Sequence, residues 1–190
     1  MKMLLTMVAV ALTAVALTAV APAALAQTNG TNSNAVAPML PDSKVDTPTF
    51  VATVPSANEF EIQSSKLAEQ KSASADVKAF AGQMIKDHTK AGEDFKQALS
   101  KGQTTASIKP AGPALQPKDQ QMLDQLKAAS GKAFDEKYVM MQTEAHKQAV
   151  ALFSTYAKSG DDPALKEFAK KTLPTLKMHE KHVKELGAAH

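Results

Sequence analysis

The chain has 190 residues, no cysteine, and 22 basic residues that are all lysine, against 19 acidic residues, for a net charge of +3. The absence of cysteine excludes disulfides, thiolate metal ligands and lipid attachment through cysteine, so any metal must be held by nitrogen or oxygen. Because the lysines are dispersed among acidic residues, no basic stripe marks a nucleic-acid surface.

The first 26 residues are typical of a cleavable export signal. Lys2 precedes an uncharged apolar run from Met3 to Ala26, and the small residues Ala24 and Ala26 satisfy the cleavage pattern. We therefore expect cleavage after Ala26 and a periplasmic or secreted protein. The alternative is an uncleaved membrane anchor, because the run is long enough to span a bilayer.

Residues 27–49 are rich in Thr, Asn, Pro, Ser and Ala and contain few large apolar groups. Such a segment buries too little apolar surface to offset the entropy of ordering, which predicts a flexible leader. The leader either spaces the domain from the membrane or has no role. Residues 50–187 are long enough for one domain with its own core.

Helix signals dominate this domain. The sequence Ser56–Glu59 is typical of a capping box and predicts a first helix from there to about Lys71. Apolar residues then recur at intervals of three and four over Val77–Leu99. This pattern predicts a second amphipathic helix that Gly102 ends.

A proline- and glycine-rich loop, 103–116, is expected to cross from one helix pair to the other. A short helix over Pro117–Ala129 follows, then a third long helix that ends at Ser159. Asp162 followed by proline predicts the start of the last helix, which Pro174 kinks or restarts. Four long amphipathic helices without a strand pattern predict an all-α four-helix bundle with one long crossover connection.

Helix bundles hold metal ions through side chains in their cores, and each long helix offers one candidate ligand. His88 and His179 lie in the middle of apolar stripes, whereas Glu61 and His146 lie at the rims. Imidazole and carboxylate suit zinc, copper or iron, so these four residues form a candidate metal site. The alternative for each histidine is a core-edge residue bonded to a carbonyl or a carboxylate.

The other candidates are weaker. His182 falls off the stripe and His190 is terminal, so both are expected to be exposed. Asp87 is expected by default to be a solvated helix residue, and the weaker alternative is a residue that hydrogen-bonds a metal ligand. Met84 and Met141 lie where core packing places them rather than in a methionine-rich copper motif. The sequence has no phosphate loop, nucleophile elbow or zinc-protease motif, so no enzymatic activity is predicted.

Several linked motifs resemble one known family. They run in order through the predicted helices: 61–68, 77–81, 84–90, 146, 149–153, 166–169, 172–176 and 179. Together they are similar to the exported bacterial family catalogued as domain of unknown function 4142, over roughly residues 50–186. The resemblance implies a ferritin-like four-helix bundle that is exported and has no agreed biochemical activity.

The chain departs from ferritin-like di-iron proteins, which use Glu-x-x-His pairs. Ile85 and Leu176 stand three residues before His88 and His179, where those pairs have glutamate. A mononuclear histidine-rich site, or none, therefore fits better than di-iron chemistry. Three functions stay open: an exported metal-binding bundle, a structural, interaction or stress-related protein of the envelope in which these groups only hydrogen-bond, and an enzyme built on the metal.

Overall fold

The computed structural model describes residues 44–102 and 115–189. These ranges contain five helices and no strand: α1 (Thr47–Lys71), α2 (Ala75–Lys101), α3 (Pro117–Ala128), α4 (Gly131–Ser159) and α5 (Pro163–Ala189). None of the helices in these ranges has an apolar stretch that could span a bilayer. The predicted export signal, the predicted leader up to residue 43, residues 103–114 of the predicted loop, and His190 lie outside the described residues.

The four long helices form a bundle in which α1 and α4 are antiparallel. Thr47 at the start of α1 contacts Tyr156 near the end of α4, and Ser65 contacts Tyr138 nearer the start of α4. Helix α1 is also antiparallel to α2, because a short turn at 72–74 joins them. Helices α2 and α4 therefore run in the same direction, and the chain must return along the bundle between them. The prediction of an all-α bundle with one long crossover connection is confirmed.

The short helix α3 belongs to this return connection. Its first turn contacts Ser56 through Asp119, and the carbonyl of Lys127 near its end accepts a hydrogen bond from Lys71. Helix α3 therefore runs beside α1 in the same direction.

The predicted start of the first helix was wrong. Helix α1 begins at Thr47, where Asp46 Oδ1 accepts a hydrogen bond of 2.8 Å from the backbone N–H of Thr49. Ser56 is buried inside α1, and its hydroxyl bonds Asp119 of α3 rather than capping its own helix. The last three residues of the predicted leader, Thr47–Thr49, thus form the first turn of α1.

The other predicted helix boundaries agree with the structure within a few residues. Gly131, the first residue of α4, has a φ of +56°, in the left-handed region that favours glycine. Asp162 Oδ1 accepts hydrogen bonds of 3.0 Å from the N–H groups of Ala164 and Leu165, as expected for an N-cap. Helix α5 continues through Pro174 without restarting.

The hydrophobic core consists of two clusters at successive levels of the bundle. The first cluster lies at the end where α1 turns into α2 and is built from side chains such as Phe60, Phe80, Met84, Phe134, Tyr138 and Val183. The second cluster lies at the end where α4 turns into α5 and includes Phe50, Phe95, Phe153, Tyr156, Leu165 and Phe168. A layer of buried polar side chains separates the two clusters along the helices.

Candidate metal centre

Three histidines lie in this polar layer. His88 of α2, His146 of α4 and His179 of α5 are 6%, 1% and 1% exposed. Their ring centroids are 5.8 Å apart for His88 and His146, 5.5 Å for His88 and His179, and 5.4 Å for His146 and His179. One ring nitrogen of each lies within 4.8 Å of one ring nitrogen of each other member. We call these three residues the histidine cluster.

One nitrogen of each ring bonds an acceptor outside the cluster. The distances are 2.9 Å from His88 Nδ1 to Asn58 Oδ1, 2.9 Å from His146 Nδ1 to the Gln142 carbonyl oxygen, and 2.9 Å from His179 Nε2 to Asp87 Oδ2. Because amide, carbonyl and carboxylate oxygens only accept hydrogen bonds, each of these nitrogens carries the ring hydrogen. The other nitrogen of each neutral ring therefore keeps a lone pair.

The nitrogens that keep lone pairs are His88 Nε2, His146 Nε2 and His179 Nδ1. All three are buried and have no hydrogen-bond partner among the described residues. Leaving a buried polar atom unpaired costs about 1–3 kcal/mol, and most such atoms in native proteins are paired. A shared zinc ion about 2.0–2.1 Å from each nitrogen would hold the nitrogens about 3.3–3.6 Å apart, so a modest closing of the rings is enough to seat an ion.

Burial also keeps the three rings neutral. It lowers the pKa of His146 to about 4, although the hydrogen bond to the Gln142 carbonyl opposes this shift. Burial lowers the pKa of His88 well below its usual range, and the neighbouring His146 and His179 add to the effect. The pKa of His179 is lowered by burial and raised in part by Asp87. Neutral imidazole is the form that binds metal ions.

The structure places Glu61 beside the histidine cluster but does not bring it into the group of three. Its Oε1 lies 3.9 Å from His146 Nδ1, the nitrogen bonded to Gln142 and not the one with the free lone pair. Glu61 is 5% exposed. Burial raises the pKa of Glu61 to about 8, against a smaller lowering effect of the Gln142 side chain.

Two residues that the sequence did not assign to the site support it. Asn58 stands in the sequence pattern of a capping box, but it lies inside α1 and orients His88. Asp87 was expected to be solvated, whereas its carboxylate orients His179. His146, expected at the rim of its stripe, is fully buried, while His182 is exposed as predicted.

The sequence pattern of the family described as Domain of unknown function (DUF4142) matches residues 29–186. The chain belongs to this family. The match includes the helices that carry the histidine cluster and confirms the resemblance seen in the sequence motifs. The family description assigns no biochemical activity to DUF4142 proteins.

The fold of this DUF4142 protein is similar to that of a solved structure described as "CopM in the Cu(II)-bound form". The TM-score is 0.62 at 17% sequence identity, and the similarity covers 77% of this chain and 99% of that chain. At such low identity the similarity shows the fold alone. No curated protein matches the chain.

Proposed function

We propose that the protein binds one transition-metal ion through His88, His146 and His179, and that it carries or buffers this ion outside the cytoplasm. Two observations carry the proposal: one ring nitrogen of each histidine lies within 4.8 Å of one of each other histidine, and each ring has one buried nitrogen without a hydrogen-bond partner among the described residues. The hydrogen bond on the opposite side of each ring fixes its orientation, as the outer partners of metal-binding histidines do.

The donor set indicates the class of metal. Three imidazoles without a thiolate suit copper, zinc, nickel or iron, and divalent copper has the highest affinity in this series. The similarity to a bundle solved with Cu(II) supports copper as the first candidate and zinc as the second. Three protein ligands leave a fourth position for water or an exchangeable ligand, which suits a protein that takes up and releases its ion. In this proposal Glu61 supplies a nearby carboxyl rather than a fourth ligand.

The proposed location rests on the N-terminal sequence. A lysine, an uncharged apolar run and a small-residue cleavage pattern together favour export, with the mature chain beginning at Gln27. A cysteine-free chain with nitrogen ligands can keep its metal site in an oxidising compartment, because no thiol is available to be oxidised.

The test is metal content and metal binding of the untagged protein, expressed from the full chain in a bacterial host and purified from the periplasmic fraction. We expect close to one copper or zinc ion per chain by mass spectrometry. A His88→Ala/His179→Ala variant should lose the ion and bind added Cu²⁺ at least 100-fold more weakly. Electron paramagnetic resonance of the Cu²⁺ form should show hyperfine splitting from imidazole nitrogens.

The matched control is His182→Ala, which removes an exposed histidine from the same helix as His179. This variant should bind the metal like the wild type, and circular dichroism should show that all variants remain helical. A wild-type protein that is empty and takes up no added zinc, copper or iron would rule out the metal site. That result would leave a structural or interaction role in the cell envelope.

A further inference from the structure

A groove of about 580 Å³ runs along the seam between α2 and α5. It begins at the level of the histidine cluster and extends toward the end of the bundle where α5 starts. Residues of both helices line it, among them Asp87, Ala91, Asp94, Phe168, Thr172 and Thr175. The groove is therefore a path from the surface to the level of the candidate metal centre.

Asp87 belongs to both the groove and the centre. Its Oδ2 accepts a hydrogen bond of 2.9 Å from His179 Nε2 and another of 2.7 Å from the side-chain amide of Gln83. The Asp87 side chain is 20% exposed, whereas that of His179 is 1% exposed. Solvent in the groove thus reaches a carboxylate that is one imidazole ring away from the free nitrogen of His179.

The charge of Asp87 is not balanced in the way that the other groove carboxylates are. Asp94 pairs with Lys90 at 2.6 Å, and Glu167 pairs with Lys171 at 3.5 Å. Asp87 instead accepts hydrogen bonds from two neutral groups, the Gln83 amide and the His179 ring. Lys90, Lys101 and Lys171 line the groove as well, so any attraction for a cation is confined to the immediate surroundings of the Asp87 carboxylate.

The other direction along the same seam is filled. Phe80 is fully buried, with its ring centroid 6.4 Å from that of His179 and 5.1 Å from that of His182. This aromatic ring occupies the space between the cluster and the next exposed turn of α5. Phe80 thus covers one side of His179, and Asp87, which lines the groove, bonds it on another.

We infer that this groove is the route by which a hydrated divalent cation reaches and leaves the histidine cluster. Asp87 is the last surface group the ion meets, and it can replace one water of the hydration shell before the three buried imidazoles bind the ion. The inference rests on the proposed metal site and adds to it a path and a positioning residue. It predicts that blocking the groove changes the rates of binding and release rather than the affinity.

The chain has no cysteine, so one thiol can be placed in the groove and modified after folding. Ala91 is half-buried and lines the groove, so Ala91→Cys places the thiol there. The thiol is then modified either with a small methylating reagent or with a bulky aromatic maleimide. Zn²⁺ is the probe, because it does not oxidise thiols. Stopped-flow mixing with a chromogenic chelator gives both rates on the folded protein.

The bulky group should slow Zn²⁺ association and dissociation by the same factor, at least tenfold, with the dissociation constant unchanged within about twofold. Ala79→Cys, at an exposed position on the same helix, is the matched control and should keep wild-type rates with either reagent. Circular dichroism before and after modification monitors the fold.

Two results would overturn the inference, and they have different meanings. Unchanged rates with the bulky group at position 91, in a protein that binds Zn²⁺ normally, would reject the route and leave the metal site intact. A wild-type protein that binds no Zn²⁺ and no Cu²⁺ would reject the metal site and the route with it.

Discussion

Two polar networks in the described part of the bundle differ in how completely their buried side chains are paired. At one end, Thr47 bonds Tyr156 at 2.5 Å and also bonds Asp161, while Asp162 accepts hydrogen bonds from the backbone of its own helix. In the middle, each histidine of the cluster bonds one acceptor and keeps a free nitrogen. We call the first of these the end network (Thr47, Tyr156, Asp161 and Asp162). Its hydrogen bonds hold α1 against the α4–α5 turn, which is a sufficient structural role. The histidine cluster is not explained by stability alone.

The comparison separates buried polar groups that serve the fold from those that await a ligand. A fully paired buried network rigidifies a structure, whereas a partly paired one destabilises it unless something else completes it. Three free nitrogens at one level of the bundle amount to a cost of several kcal/mol, at about 1–3 kcal/mol each. A metal ion would remove that cost, and the predictions below test this difference.

The largest expected effect concerns Glu61, the carboxyl beside the cluster. Burial raises the pKa of Glu61 from about 4.5 to about 8. Between these two pH values, the folded state holds a proton that the unfolded state has released. The contribution of Glu61 to stability is therefore present below pH 4.5 and is lost as the pH rises through 8. Glu61→Gln removes this loss, so the variant should exceed the wild type by roughly 3–5 kcal/mol at pH 9 and differ little at pH 4.

Urea unfolding of both proteins at the two pH values measures this difference. The control is Thr47→Ser, in the end network. The difference in unfolding free energy between this variant and the wild type should be similar at pH 4 and pH 9. If Glu61→Gln and the wild type have parallel stability–pH curves, Glu61 is ionised or solvated in the folded protein.

Much of the fold follows from the sequence because amphipathic periodicity and cap residues are local signals. The helix boundaries after Lys71 and the core positions of His88 and His179 could be predicted in this way. The end of α1 was predictable, but its beginning was not, because the Ser56–Glu59 pattern imitates a capping box. That error hid Asn58, which lies on α1 at the level of the cluster and bonds His88.

The sequence favours a solvated Asp87 over a partner of a metal ligand for a different reason. It lies off the main apolar stripe of α2, and its role depends on α5 packing against that side of the helix. The periodicity of one helix shows which of its faces is apolar. It does not show which other helix packs against the residues beside that face. The same limit applies to His146, whose burial depends on how α4 is rotated against α1, α2 and α5.

Adding metal should produce the next largest effect. A metal concentration 100-fold above the dissociation constant stabilises a protein by about 2.7 kcal/mol, which should raise the melting temperature by roughly 5–10 °C. His88→Ala should abolish the increase. Tyr156→Phe, in the end network, should lower the starting temperature but keep the same increase, because it is not part of the site. Differential scanning calorimetry with and without Cu²⁺ measures the melting temperatures. An equal increase in the wild type, His88→Ala and Tyr156→Phe would indicate that Cu²⁺ binds outside the histidine cluster.

The smallest effects have opposite signs in the two regions. Tyr156→Phe removes a hydroxyl that bonds Thr47, so it should destabilise the protein by about 1 kcal/mol while keeping the ring stack with Phe50 at 4.0 Å. His146→Leu removes an unpaired buried nitrogen, so it should stabilise the metal-free protein by about 1 kcal/mol. Urea unfolding in the presence of a chelator compares them. A loss of stability in His146→Leu would mean that the free nitrogen has a partner without metal.

The division of the core into a first and a second hydrophobic cluster also bears on how the bundle moves. Each cluster is a cohesive body of packed side chains, and the polar layer between them lacks that continuous apolar packing. Slow bending of the long helices is therefore expected to centre on this layer, where the least apolar packing must be disturbed. An ion bonded to α2, α4 and α5 at this level would stiffen the bend, so that binding in the middle of the bundle would restrict the relative motion of its two ends.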